Sequence, residues 1–164
     1  MMRNNLLRLS AWVITSTLGL SACTALNSSD AKTLPVTEIY SASTCNINEQ
    51  GITAIENKES LREVLKKANS HRLDSKPKDL SSIDFDASHV YLITMGIKPN
   101  AGYALKKTGT EASLENGVLH LPIQVELPSK AGMYAQMMTS PCTLISLPAG
   151  TYNTIAIEGW ETLK

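Results

Sequence analysis

Leu61, Val64, Leu65 and Ala68 fall at i, i+3, i+4 and i+7, the spacing that lines up apolar side chains on one helical face. Glu59 and Glu63 come early and Lys66 and Lys67 late, as the helix dipole favours, so the pattern predicts one amphipathic helix near residues 58–69. Its start has two readings: Asn57 as the cap, or Ser60 with Glu63 in a capping box. Elsewhere the pattern is that of strands. Residues 36–41 and 52–56 are short candidates, with Gly51 marking the turn before the second. Residues 90–95 form a continuous apolar run suited to a central strand, and residues 103–107 alternate. Residues 111–115 and 118–126 flank Asn116-Gly117, a hairpin signal because both residues accept positive φ. Pro122 makes the second of these an edge or bulged strand. Residues 133–138, 143–147 and 154–158 complete the set. The expected fold class is α+β, mainly β: an antiparallel sandwich- or barrel-like domain with one helix. Residues 70–82, with Pro77, read as a polar connection.

The N-terminal pattern is of a different kind. Arg3 and Arg8 precede an apolar run over residues 9–20, which ends in Leu20-Ser21-Ala22-Cys23. A basic region, a short apolar region and small residues are the secretory order, and the run is too short for a spanning helix of about 20 residues. Its end resembles the lipobox of bacterial lipoproteins. That resemblance implies lipidation at Cys23, removal of residues 1–22, and a membrane contact through the lipid. Thr24 follows, not an aspartate resembling the inner-membrane retention signal, so the expected location is the cell envelope, at the outer membrane facing the periplasm of a Gram-negative bacterium. Residues 23–35 are small and polar and read as a flexible tether, ahead of a single domain over residues 36–164.

Composition adds three constraints. Of three cysteines, lipidated Cys23 leaves Cys45 and Cys142 as a pair, for which an oxidising compartment permits a disulfide. The alternative is two buried thiols packed as small hydrophobes. Two of the 15 basic residues lie in the leader and none of the 15 acidic ones, leaving a formal charge of −2. With aromatics at 5%, neither a basic stripe nor a stacking platform points to nucleic acid.

Chemistry is sparse. His71, His89 and His120 stand alone, without metal-ligand spacing, and alternation turns His120 away from Leu119 and Leu121. Asp84 and Asp86 flank Phe85 as two exposed residues beside one inward residue. No nucleophile elbow or phosphate loop occurs, so no enzyme, metal, cofactor or small-molecule substrate is expected. Two segments fit an interaction surface instead. Lys98, Pro99, Asn100, Gly102 and Tyr103 form a tight loop between strands, where binding residues concentrate; Tyr103 is open to two roles, contact or core. Residues 132–140 carry Met133, Met137, Met138 and Tyr134, suited to an irregular core or an adaptable surface.

Ile83-Asp84-Phe85, the strand ending in Met95-Gly96, the loop from Lys98 to Gly102-Tyr103, and Thr139-Ser140-Pro141 ahead of a strand ending at Pro148 resemble the C-terminal domain of the PrcB family of protease-complex subunits. The resemblance runs over about residues 51–159. In that family the loop reads like Thr-Gly-Gly-Tyr, and Ala101 here replaces the first glycine of the pair. It implies a non-catalytic, lipid-anchored accessory subunit supporting a secreted or surface serine protease. A Gly-Tyr loop on a β-rich domain is also similar, distantly, to chagasin-type cysteine protease inhibitors. A structural envelope lipoprotein is the third class.

Overall fold

The computed structural model describes residues 31–68, 80 and 83–163. Its elements in chain order are β1 (Lys32–Pro35), β2 (Thr37–Ala42), β3 (Gln50–Ile55), α1 (Lys58–Ala68), β4 (Ser88–Met95), β5 (Ala104–Lys107), β6 (Glu111–Glu115), β7 (Val118–Glu126), β8 (Cys142–Pro148) and β9 (Thr154–Glu158), followed by a 3-10 turn at Trp160–Leu163. They form two sheets. The first holds five strands in the order β1-β6-β7-β5, with β9 also paired to β7; the second holds four in the order β2-β8-β4-β3.

The apolar runs are explained by layering. In β4, Ile93 and Met95 join the core between the sheets, whereas Val90 and Leu92 belong to a second core under α1. In β8, Ile145 and Leu147 point to the first core and Cys142 and Leu144 to the second. A strand buried on both faces reads as continuously apolar. In the first sheet only one face is covered, so β7 alternates: Leu119, Leu121, Ile123 and Val125 are buried while His120 is exposed. Each such side chain contributes about 1.5–3 kcal/mol relative to exposure.

Local chemistry sets the boundaries. Asn57 Oδ1 accepts the Ser60 N–H at 2.9 Å, so Asn57 is the N-cap of α1 and Ser60 lies inside the helix. The buried face of α1 is Leu61, Leu65 and Ala68. At the β6–β7 turn, Asn116 and Gly117 take φ of 52° and 80°, the pair of positive values a type I′ turn requires.

The structure revises several expectations. Residues 32–35 are not tether: β1 pairs with β6, with Leu34 opposite Ala112 and buried. Gly51 lies inside β3, opposite Thr94, and the turn comes earlier. Pro122 is on neither an edge nor a regular ladder. It sits where β7 passes from pairing with β6 to pairing with β5, and its carbonyl accepts the Thr108 N–H. The β7–β9 register shifts across the same stretch, so the bulged reading is the one that holds. The domain is also not wholly antiparallel, because β9 runs parallel to β7, and the sheets do not close into a barrel. Finally, residues 133–138 are irregular chain rather than a strand.

Candidate functional site

Three connections meet at one end of the two sheets. Residues 43–49 link β2 to β3, residues 96–103 link β4 to β5, and residues 127–141 link β7 to β8. Register brings them together: Ala42 faces Cys142, Gln50 faces Met95, Thr94 faces Cys142 and Ala104 faces Glu126. Both sequence-selected segments therefore lie here, side by side. Lys98 and Thr139 exchange backbone hydrogen bonds of 2.8 and 2.9 Å, and the Ala101 N–H donates to the Ala135 carbonyl at 3.1 Å.

The 98–103 loop is held from within. Asn100 Oδ1 accepts the Gly102 N–H at 2.9 Å, while its carbonyl accepts the Thr139 hydroxyl at 3.0 Å. Asn100 thus shapes the loop with the side chain that sequence reasoning assigned to contact. Gly102 is needed for space: a β-carbon there would come within 2.7 Å of Pro128 Cβ and 2.8 Å of Tyr134 Cδ1. Its φ lies outside the left-handed range, so close approach rather than backbone conformation demands glycine. Tyr103 is half-buried against the inter-sheet core. Lys98 Nζ stands 5.7 Å from its ring centroid, a cation–π contact of about 0.5–1 kcal/mol at an exposed site. Pro99 and Ala101 are the loop's exposed residues.

The 127–141 connection packs on this loop through Tyr134. The Tyr134 hydroxyl accepts the Ser129 N–H and donates to Ser129 Oγ, and these bonds hold it below the ordinary tyrosine range. Met133, Met137 and Met138 point outward, exposed by 100%, 54% and 63%. With Ile97 and Leu127 they make up the exposed large hydrophobics among the described residues, and all lie on these connections. Two shallow depressions flank the loop. One of about 320 Å³ lies among Thr44, Asn48, Ile97, Met138 and Thr139; the other, about 530 Å³, lies among Gly102, Glu126, Leu127 and Tyr134.

The third connection, which sequence reasoning missed as a wall of this site, is tied in at Ser140. Ser140 Oγ accepts from the N–H groups of Cys45 and Asn46 at 2.9 and 2.8 Å. Beside it the disulfide joins Cys45 to Cys142, with Cα atoms 6.0 Å apart. The pairing expected from the cysteine count is the one present, and it was the sequence signal that ties residue 45 to this end.

Other candidates fall elsewhere. Cys23 and His71 lie outside the described residues. His120 is exposed, and His89 Nε2 meets the Gly150 carbonyl at 3.0 Å. Asp84 and Asp86 are exposed around half-buried Phe85, with Asp84 Oδ1 accepting the Asp86 N–H. Among the described residues no group of three His, Cys, Asp or Glu side chains could hold a metal ion.

Residues 89–148 match the family model described as PrcB C-terminal. The matched stretch is similar to the PrcB C-terminal domain. It spans β4 to β8 and contains two of the three connections, leaving residues 43–49 outside. No curated protein and no solved structure matches the chain.

Proposed function

We propose that the chain is a lipid-anchored, non-catalytic accessory subunit that binds a secreted or surface serine protease through the end where residues 43–49, 96–103 and 127–141 converge. The observation that carries this reading is the concentration of exposed Ile97, Leu127, Met133, Met137 and Met138 on that end. Contiguous exposed apolar surface marks interaction sites, and methionine adapts to a partner's shape. Here the backbone beneath it is fixed by the pairing of Lys98 with Thr139 and of Ala101 with Ala135.

The direction of the chain fits an anchored subunit. It enters the first sheet at Lys32, opposite Leu114 near the Asn116-Gly117 turn, whereas Leu127 follows the far end of β7. At about 3.4 Å per residue, the nine-residue β7 separates these ends by about 27 Å. A lipid on Cys23 would hold the hairpin end toward the membrane and turn the apolar end outward, which in a Gram-negative envelope is toward the periplasm. An inhibitor of the chagasin-like type needs a projecting wedge. Asn100 and Ala101 instead tie the loop down onto residues 135 and 139, which favours a docking face.

The test is cross-linking in intact cells with the wild-type chain and a Met133→Ser, Met137→Ser, Met138→Ser variant. Recovery of a serine protease with the wild type and its loss with the variant supports the proposal. Equal recovery, or recovery of envelope proteins without a protease, refutes it. Stoichiometric block of the captured protease's activity would move the role to inhibition. Acyl mass on an N-terminal Cys23 decides the anchor.

A further inference from the structure

Met133, Met137 and Met138 crowd a six-residue window, and their exposures are 100%, 54% and 63%. Met95, by contrast, is fully buried in the inter-sheet core. Thioether oxidation follows access, and a sulfoxide is polar where the thioether was apolar. The exposed three are therefore open to an oxidant that Met95 never meets while the chain is folded. They also make the greater part of the exposed apolar surface at this end.

We propose that Met133, Met137 and Met138 form an oxidation site at which a hydroperoxide reversibly converts the apolar end of the domain into a polar one. In the step, a lone pair of the thioether sulfur attacks one oxygen of the peroxide. The O–O bond breaks as the S–O bond forms, and the hydroxyl proton passes to the departing oxygen. The sulfur is oxidised by two electrons, and the peroxide is reduced to an alcohol, or to water from hydrogen peroxide. No protein group besides the thioether takes part in bond making, so exposure alone sets selectivity. Reversal is the ordinary reduction of methionine sulfoxide, for which MsrA and MsrB take one epimer each.

The architecture separates this change from stability. The backbone of the segment is fixed by the Lys98–Thr139 and Ala101–Ala135 bonds, and the segment's packing on the loop runs through Tyr134, which lies against Gly102. The three thioethers contribute little to either, so their oxidation alters the surface and leaves the core intact. Tyr134 and Gln136 intervene between the methionines, and the change is confined to this end. The consequence for protease docking rests on the function proposed above; the chemistry of the site does not.

The experiment treats the full chain with hydrogen peroxide and follows it by peptide mapping, thermal unfolding and retention on a hydrophobic-interaction resin. The expected result is one oxygen addition at each of Met133, Met137 and Met138, fastest at Met133, with Met95 unmodified, an unchanged unfolding temperature and earlier elution from the resin. Treatment with both reductases restores the original retention. A Met133→Leu, Met137→Leu, Met138→Leu variant, apolar but not oxidisable here, keeps its retention after peroxide. Oxidation of Met95 in step with the others, a fall in unfolding temperature with the first additions, or unchanged retention of the oxidised wild type overturns the proposal. Because these readouts need no partner, failure to capture a protease would count against the proposed function alone. Where a protease is captured, peroxide should abolish capture by the wild type and treatment with both reductases should restore it; capture unchanged by peroxide would overturn the switch.

Discussion

Removing the Cys45–Cys142 bond should cost the domain about a third or more of a typical small protein's margin while barely moving its native structure. The bond closes a chain separation of 97 residues. In the chain-entropy model that constraint on the unfolded state is worth about 4.7 kcal/mol at 25 °C, against a total stability of about 5–15 kcal/mol for a domain. The native side of the balance changes little, because the same junction is held independently. Ser140 accepts the N–H groups of Cys45 and Asn46 on its hydroxyl, its carbonyl also accepts from Cys45, and its own N–H donates to the Ser43 carbonyl. Both sulfurs sit in the core under α1, where reduced thiols pack as small hydrophobes.

The perturbation is reduction with dithiothreitol, with a Cys45→Ala, Cys142→Ala double variant in parallel. The assay is urea unfolding followed by the fluorescence of Trp160. With a slope of about 1.5–2 kcal/mol per molar urea, the midpoint should fall by about 2–3 M. A larger slope should accompany it, since an unlinked chain exposes more surface. The alanine variant should fall slightly further, having also lost two buried sulfurs. A midpoint shift below about 0.5 M in the reduced protein would refute the reasoning, because the bond would then place no effective constraint on the unfolded chain. Free alkylation of both thiols in protein taken from intact cells would refute the pairing itself.

Three further outcomes follow from single sites. Tyr40 is 5% exposed and its hydroxyl is buried without a hydrogen-bond partner, so Tyr40→Phe should raise stability by about 1 kcal/mol; a loss of stability in urea unfolding would show that the hydroxyl is satisfied. Gly102→Ala should cost about 1–3 kcal/mol by overpacking against Pro128 and Tyr134, with Tyr134→Ala recovering part of it; a cost near zero would contradict the close approach. Burial raises Tyr91 and Tyr152 above the ordinary value of 10.0, so the folded chain keeps protons that the unfolded chain releases. That contribution is fully present below pH 10 and is lost as pH climbs through the raised values. Tyr91→Phe and Tyr152→Phe should each flatten the alkaline decline in unfolding temperature, and an unchanged decline would refute the assignment.

What the sequence could show depended on whether the determining contacts were local. The β6–β7 turn is written in two adjacent residues, Asn116 and Gly117, and α1 in one periodic face, so both were legible. β4 was legible for a different reason: its burial on two faces makes the run over residues 90–95 apolar without a gap. β1 was not, because a four-residue strand with only Leu34 buried carries no period, and pairing with β6 alone makes it a strand. Residues 133–138 look apolar and alternate enough for a strand, yet nothing in their composition states that the apolar side chains face out. That depends on Ala101 and Lys98 capturing the backbone from a distant part of the chain.

Gly102 shows the same limit at the level of one atom. Nothing adjacent in sequence marks the requirement, because the groups that exclude a β-carbon are Pro128 and Tyr134, from another connection. The third wall is more distant still. Cys142 lies inside the stretch that matches the PrcB C-terminal model and Cys45 well outside it. Residues 43–49 therefore reach the site through long-range links: the disulfide, the bonds to Ser140 and the Ile97 N–H donated to the Asn48 carbonyl. If those links serve the site, reduction should loosen residues 43–49 more than residues 96–103, which remain paired to Thr139 without the disulfide. Amide exchange measured on the folded, reduced chain reports this difference directly. Equal protection of residues 43–49 before and after reduction would show that the hydrogen bonds to Ser140 and Ile97 suffice to hold the third wall, and that the disulfide acts on the unfolded chain alone.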